Sequence, residues 1–181
     1  MSATQLMKSK WFWAWQDEKQ EAWLEAMSRE GLHLKRIKAF GRYVFEVGQP
    51  RNYSYRMDFD QSSGKNSDYF YLLHDAGWEH VAVVSGWQYW RKETNVGRTA
   101  ELFTDIESKI KKYKRLLVSL SVPVPAYFVI VLGMFKRFPG RHPLWVVITT
   151  ISCFVLYIGF MAVNVFKISQ RIRDLERIHP L

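Results

Sequence analysis

Two long apolar runs, residues 116–135 and 144–166, constrain this chain more than any other feature, because neither contains a charged side chain. An α-helix rises about 1.5 Å per residue, so runs of this length match the ~30 Å hydrocarbon core of a bilayer. The short segment 136–143 suits a hairpin connection. We therefore predict a two-helix transmembrane hairpin. The alternative is a pair of core helices in a soluble domain, although such helices rarely stay uncharged for so long.

The rest of the 181-residue chain is divided by this hairpin. Residues 1–103 suffice for one compact domain of about 100 residues, which we predict to be cytosolic. Residues 104–181 then hold an amphipathic juxtamembrane helix, the transmembrane helices 116–135 and 144–166, and a basic amphipathic tail at 167–181.

The net charge of +9 is concentrated beside the predicted spans. Residues 1–104 carry 14 Lys and Arg against 13 Asp and Glu, whereas residues 105–181 carry 12 against 4. Cations at this position bind anionic headgroups, at about 1 kcal/mol each, so direct binding of nucleic acid is not expected. The candidates for the membrane surface are Lys109, Lys111, Lys112, Lys114, Arg115, Lys167, Arg171 and Arg173.

The same cations predict the orientation, because cytoplasmic flanks collect Lys and Arg. The two flanks hold more of them than the connecting loop does, so we expect a two-pass protein of the cytoplasmic membrane with both termini in the cytoplasm. The single cysteine, Cys153, lies in the second span and excludes a disulfide framework, in agreement with a reducing compartment. No cleavable signal peptide is expected either.

Residues 11–60 show strand and helix patterns in alternation. The aromatic segment 11–15 is apolar on both faces, which favours a central strand. Asp17 is a candidate N-cap for a helix at 17–30, which Gly31 ends. Strands are predicted at 32–38 and 42–47, around a turn at Phe40-Gly41. The segment 53–60 alternates best, and its polar row of Arg56, Asp58 and Asp60 is expected to face solvent.

The next segment partly repeats this pattern. A helix capped by Asn66 or Ser67 ends at Gly77, and strands follow at 78–84 and 87–91. Two helix-strand-strand units with similarly spaced glycines indicate a degenerate duplication, although common turn chemistry alone would produce the same spacing. Both interpretations favour an α+β domain with a ferredoxin-like arrangement, in which an antiparallel sheet carries two helices on one face.

A third helix is predicted to enter the bilayer unbroken. Thr104 and Glu107 form a capping box, and the apolar stripe that follows leads into the first span. Pro123 and Pro125 lie within that span, where we expect a kink. The tail carries a second stripe, Ile168, Ile172, Leu175 and Ile178. This stripe either packs on the third helix or lies flat on the lipid surface.

Side chains for catalysis or metal binding do not form a recognised pattern. His74, Asp75 and His80 come closest to a ligand cluster, but their spacing matches no known metal motif. No phosphate-binding loop or nucleophile motif is present, so we predict no cofactor, no metal and no enzymatic activity. Neither span contains an ionisable side chain, which argues against ion transport by this chain alone.

Aromatic side chains are the strongest candidates for function. Trp11, Trp13, Trp15 and Trp23 are expected in the core. Trp87, Tyr89 and Trp90 alternate along the last strand, so at least one should be exposed and available for contact with a protein partner. Simple filling of the core is the alternative.

Several aromatic blocks resemble a bacterial membrane-protein family known only as domain of unknown function 2812. They are residues 10–15 (KWFWAW), 21–24 (EAWL), 53–59 (YSYRMDF), 76–79 (AGWE), 86–92 (GWQYWRK) and 103–109 (FTDIESK). The family brings no activity or catalytic residue. Its members are often encoded beside PadR-type transcriptional regulators, so the resemblance implies an accessory to a regulator.

Taken together, these features predict a membrane-anchored cytosolic interaction or sensor module, an accessory to a transcriptional regulator or a signalling partner. An auxiliary subunit of a membrane transporter is the main alternative. An enzyme acting on a lipid or a small molecule is a third.

Overall fold

The computed structural model describes residues 4–60, 68–94, 106–121, 123–137 and 143–178. It divides into two compact units, Met1–Lys112 and Tyr113–Leu181.

The first unit is built from two strand-helix-strand-strand halves. The first half contains β1 (Gln5–Ser9), α1 (Asp17–Arg29), β2 (Leu32–Lys38) and β3 (Arg42–Val47). The second contains β4 (Tyr53–Phe59), α2 (Asp68–Asp75), β5 (Glu79–Val84) and β6 (Trp87–Glu93). All pairings are antiparallel, in the orders β1-β3-β2 and β4-β6-β5. The predicted α+β class is confirmed, with two three-stranded sheets in place of one.

The two halves share details as well as strand order. Each helix is followed by a glycine with positive φ, Gly31 at 80° and Gly77 at 83°. Each hairpin contains two consecutive residues with positive φ, Phe40-Gly41 and Ser85-Gly86. In the second hairpin these two residues form the whole turn between Val84 and Trp87, as in a two-residue turn of the I′ type, whereas in the first the turn between Lys38 and Arg42 also includes Ala39. The register also shifts early in β2 and in β5. The helix-strand-strand repeat expected from the glycine spacing is therefore present. Each repeat also begins with an additional strand, β1 in the first half and β4 in the second.

The aromatic segment 11–15 is not a strand, and this prediction was wrong. On the side of β3 away from β2, the paired strand is β1, which lies just before the segment. Residues 11–15 instead form a loop and turn leading into α1, where the Trp13 amide donates to Gln16 Oε1 at 3.1 Å. Trp11 and Trp13 are exposed, and the rings of Trp13 and Trp15 stack. Alternation identified the apolar residues, but it did not show that a neighbouring strand already occupies the edge of β3.

The boundaries of α1 agree with the prediction, but its cap does not. Gln16 precedes the helix, without a capping hydrogen bond from its side chain, and Asp17 is the first helical residue. Asp17 therefore lies one position beyond the N-cap, and its buried carboxylate is paired with Lys112 at 2.7 Å.

Apolar side chains from both halves form the main core. Its buried members are Leu24, Met27, Leu32, Leu34, Tyr43, Phe45, Tyr55, Met57 and Tyr89. A second cluster of Leu73, Trp78 and Trp90 lies beneath α2.

The polar row of β4 is buried, which corrects the expectation of a solvated face. Asp58 is only 1% exposed and accepts a hydrogen bond from the Tyr69 hydroxyl of α2 at 3.0 Å. Asp60 is also buried, and Arg56 is largely so. Helices flank β4, so its polar residues face protein and not water. The alternation of apolar and polar residues along β4 therefore separates two protein environments.

Three helices follow: α3 (Ile106–Ser121), which begins in the first unit, α4 (Pro123–Arg137) and α5 (Leu144–Ile178). Two helical stretches, Lys109–Gly133 and Leu144–Arg177, are long and apolar enough to cross a membrane. Almost none of their most apolar windows is buried, unlike the core helices of a soluble protein. The Tyr127 ring stacks on Phe154, and its hydroxyl donates to the carbonyl of Thr150, so α4 and α5 contact each other as a hairpin would.

The predicted tail continues α5 without interruption. A helix of 35 residues is about 52 Å long, well beyond the ~30 Å of hydrocarbon. Ile168 and Ile172 are buried, as are Tyr113 and Leu116 of α3, whereas Leu175 is partly exposed. The packing of these stripes against each other stays a prediction, as does a kink at Pro123 and Pro125. Thr104, Asn66 and Ser67 lie outside the described residues.

Candidate functional site

Three carboxylates project from one face of α1, and two of them reach the outer edge of β4. Asp17, Glu21 and Glu25 are spaced by four residues and therefore project from the same side of the helix. Glu21 Oε1 accepts a hydrogen bond from the Met57 amide at 2.8 Å, and Glu25 Oε1 accepts one from the Tyr55 amide at 3.3 Å. Since β4 is the outer strand of its sheet, these carboxylates satisfy amides that have no strand partner.

Two cations complete this buried charge cluster. Arg56 Nη1 lies 2.8 Å from Glu25 and 3.7 Å from Glu21. Lys112 Nζ lies 2.7 Å from Asp17 Oδ2 and donates to the Met57 carbonyl at 3.3 Å. We refer to Asp17, Glu21, Glu25, Arg56 and Lys112 as the charge cluster.

The prediction that Lys112 binds lipid headgroups was wrong. Its side chain is only 8% exposed and is held by Asp17, whereas its neighbour Lys111 is exposed. Lys112 flanks the buried positions Ile110 and Tyr113 of α3, so it lies on the inward side of that helix. The other candidates remain predictions: Lys109 and Arg171 are partly exposed, and Lys114, Arg115, Lys167 and Arg173 are exposed.

Burial changes the protonation of the cluster. Removal from water raises the pKa of Glu21 from its ordinary 4.5 to about 8, even though Lys112, Arg56 and the Met57 amide favour the charged form. Asp17 adds to the rise through like-charge repulsion. A protonated Glu21 leaves two carboxylates facing two cations, which balances the buried charge.

An aromatic cavity of about 430 Å³ lies next to this cluster. We call it the aromatic cavity. It opens between the two hairpin turns, and both halves of the duplicated domain contribute to its walls. Its lining residues are Trp11, Phe12, Trp13, Ala14, Asp17, Gln20, Ile37, Lys38, Ala39, Phe40, Gly41, Tyr43, Met57, Val84, Ser85, Trp87 and Tyr89.

Gln20 organises the polar part of the cavity. Its Nε2 atom donates to the Tyr43 hydroxyl at 2.8 Å and to the Tyr89 hydroxyl at 2.9 Å. Burial raises the pKa of Tyr43 to about 12 and that of Tyr89 further, so both phenols are neutral at physiological pH. The sequence pattern did not identify Gln20, whose only local signal is its place one turn after Asp17.

Aromatic side chains at the mouth are unusually exposed. Trp11 is 61% exposed and Phe40 83%. Phe40 also has a φ of 61°, a left-handed conformation that glycine or asparagine adopts at lower cost. Neither turn propensity nor core burial explains a phenylalanine at this position.

The three aromatic residues predicted to contact a partner are separated by the structure. Trp87 is partly exposed and lines the aromatic cavity together with Tyr89. Trp90 is 1% exposed and belongs to the cluster beneath α2, which corrects its assignment to a contact surface. Adjacent strand residues point to opposite faces, and both faces of β6 are covered around Trp90.

The histidines of the second half lie apart from this site. His74 and His80 line a separate cavity of about 420 Å³ near α2. His80 Nε2 hydrogen-bonds to Gln88 Oε1 at 2.8 Å, and the His80 ring packs against Trp90. Within the described part of the chain, no group of three or more His, Cys, Asp or Glu side chains has the arrangement of a metal site.

These features define a class: a duplicated α+β domain with a buried charge cluster and an aromatic cavity, joined to two helices of membrane-spanning length and hydropathy. More particularly, the chain belongs to the family described as "Protein of unknown function (DUF2812)", whose model matches residues 16–124. No curated protein matches the chain. No solved structure matches it either.

Proposed function

We propose that this protein is a sensor or interaction module anchored in the cytoplasmic membrane. Its cytosolic domain registers a ligand or a protein partner, and α3 carries the resulting change toward the membrane helices. The proposal assigns no catalytic step to the chain.

The ion pair between Asp17 and Lys112 is the observation that carries this proposal. Asp17 lines the aromatic cavity, and Lys112 belongs to α3, which continues from the first unit into the second. A pair with this little exposure separates only at a high cost, because each charge would lose its partner in a dry environment. A change in the cavity wall that moves Asp17 must therefore act on Lys112 and on α3.

Two kinds of protein partner fit this function. A DNA-binding regulator would fit the accessory role expected from the family resemblance. A larger permease would fit an auxiliary subunit of a transporter. Both predict a stable complex with the intact membrane-anchored chain.

The test is an affinity purification of the intact chain from its native membrane in a gentle detergent, with partners identified by mass spectrometry. Lys112→Met is compared with Lys111→Met, which removes an exposed cation from the same helix. We expect the wild type and Lys111→Met to recover the same partner, and Lys112→Met to recover several-fold less.

A regulator among the partners supports the accessory role, and a permease alone replaces that role with the transporter alternative. Equal recovery by all three chains, or no specific partner, overturns the proposal. Circular dichroism checks that Lys112→Met is folded. If it is not, Asp17→Asn replaces it, because that change removes the charge with almost no change in volume.

A further inference from the structure

We propose that the aromatic cavity binds a flat, uncharged aromatic molecule that carries a carbonyl or a similar hydrogen-bond acceptor. This inference deepens the proposed function by naming the class of ligand. The biological purpose of this ligand rests on the proposed function, whereas the binding site itself rests on the geometry of the cavity.

The polar floor of the cavity favours a hydrogen-bond acceptor. Gln20 donates to both phenol oxygens, and within the described residues its side chain is the only hydrogen-bonding partner of the Tyr43 and Tyr89 hydroxyl groups. A phenol that accepts one hydrogen bond still has its own proton to donate. Buried polar groups normally have partners, so two hydroxyl donors at the floor of a cavity are suited to an acceptor on a ligand.

The balance of charge favours an uncharged ligand. Asp17 and Lys38 are the charged residues of the lining. The Asp17 carboxylate is already compensated by Lys112 at 2.7 Å, and Lys38 is exposed to water. An ion entering the cavity would lose its hydration without gaining an uncompensated opposite charge, which is costly.

The walls favour a flat aromatic ring system. Phe12, Trp13 and Trp87 supply apolar ring surface inside the cavity, whose volume of about 430 Å³ lies within the range of small-molecule sites. Trp11 and Phe40 extend this surface at the mouth, where they are exposed to water. A ring that stacks on these side chains removes their apolar area from solvent, which is favourable. It also gives Phe40 a role that its left-handed backbone does not explain.

The test uses the purified full chain in lipid nanodiscs, with empty nanodiscs as the correction for partitioning into lipid. The probes are coumarin, chromone and 2-quinolone, which are uncharged bicyclic carbonyl compounds. Naphthalene has a similar shape without an acceptor, and N-methylquinolinium has a similar shape with a charge. Ligand-observed saturation-transfer NMR and titration calorimetry measure binding.

We expect at least one carbonyl probe to bind about 5- to 10-fold more tightly than naphthalene, as the loss of one hydrogen bond predicts. The double variant Tyr43→Phe/Tyr89→Phe should lose this preference and keep the affinity for naphthalene. Tyr71→Phe, an exposed tyrosine of α2, should behave like the wild type. A single cooperative melting transition confirms that each variant is folded, although the double variant should melt at a lower temperature because it leaves the buried Gln20 amide without acceptors.

Three outcomes overturn the proposal: no binding of any carbonyl probe at millimolar concentration, equal binding of naphthalene, or tighter binding of the cation. If the ligand-binding test fails while the affinity purification still recovers a partner, only the ligand site is refuted. Specific binding here with no partner recovered removes the partner-coupled function and leaves the site.

Discussion

Asp17 and Lys112 are 95 residues apart in the chain, yet their charged groups lie 2.7 Å from each other in the interior of the first unit. Lys112 also donates to the carbonyl of Met57, so one ammonium group connects α1, β4 and α3. The part of α3 up to Lys112 therefore belongs to the first unit by its chemistry as well as by its packing.

Removal of this ammonium should destabilise the first unit strongly. We expect Lys112→Met to lose about 3–5 kcal/mol, because it leaves a buried carboxylate without its partner. The double variant Asp17→Leu/Lys112→Met should lose less, and Lys111→Met should change little. Near-UV circular dichroism during chemical denaturation in detergent measures this. Equal losses in the single and double variants would show that the two charges are not coupled.

The stability of the domain should fall as the pH rises from about 4.5 to about 8. In this window the folded state binds a proton on Glu21 that the unfolded state has released, because the folded pKa is the higher one. Glu21→Gln keeps the acceptor for the Met57 amide and removes the titration. We expect the fall, on the order of a few kcal/mol in the wild type, to become markedly smaller in this variant.

The control for this prediction is Glu18→Gln, which neutralises an exposed carboxylate of the same helix. It should retain the pH dependence of the wild type. Melting curves at pH 6 and pH 9 compare the three proteins. If Glu21→Gln kept the full pH dependence of the wild-type stability, a group other than Glu21 would be its cause.

The glycines that follow the two helices should differ in their tolerance of alanine. Both have positive φ, which costs an alanine about 1 kcal/mol. A Cβ at Gly31 would lie 2.5 Å from the carbonyl oxygen of Gly48, whereas a Cβ at Gly77 would meet only the Lys92 side chain, at 3.6 Å. Gly31→Ala should therefore lower the melting temperature clearly more than Gly77→Ala. Equal effects would show that the loop after β3, which contains Gly48, moves aside easily.

The single cysteine tests the membrane span directly. Cys153 lies in the apolar part of α5 and is exposed on the helix surface, so lipid should cover it. We expect a membrane-impermeant maleimide to label Cys153 only after the membrane is dissolved in denaturant. Labelling in intact membranes would contradict a span at this position.

The orientation is tested with Glu176→Cys in a Cys153→Ser background, since Glu176 is exposed near the end of α5. With both termini in the cytoplasm, the reagent should label this variant in inverted vesicles and not in intact cells. The reverse pattern would place the tail on the outer side.

Local patterns predicted most of the secondary structure. The boundaries of β2 and β3, the position of α1 and the turn at Phe40-Gly41 follow from periodicity and from glycine within a few residues. The resemblance of the two halves was also visible, because the same turns recur. The apolar runs indicated the two long helices directly, since their length and composition are properties of a single segment.

Relationships between distant residues could not be predicted in this way. Lys112 belongs to a basic segment, and only its partner Asp17 distinguishes it from Lys111. The segment 11–15 has the composition of a buried strand, but β1 takes that place. Gln20 gains its role from two hydroxyls that are 23 and 69 residues away. The same is true of Glu21, whose unusual protonation depends on how deeply other elements bury it.

The carboxylates that cap the outer edge of β4 have a consequence for a protein held on a surface. The proposed membrane anchor would confine the domain to a thin layer, where copies meet far more often than they would in free solution. An open sheet edge would then be a site of strand-to-strand association. Glu21 and Glu25 occupy the Tyr55 and Met57 amides that such an association would use, so β4 is closed to a neighbouring copy. The charge cluster thus protects this edge of the sheet from strand-to-strand association.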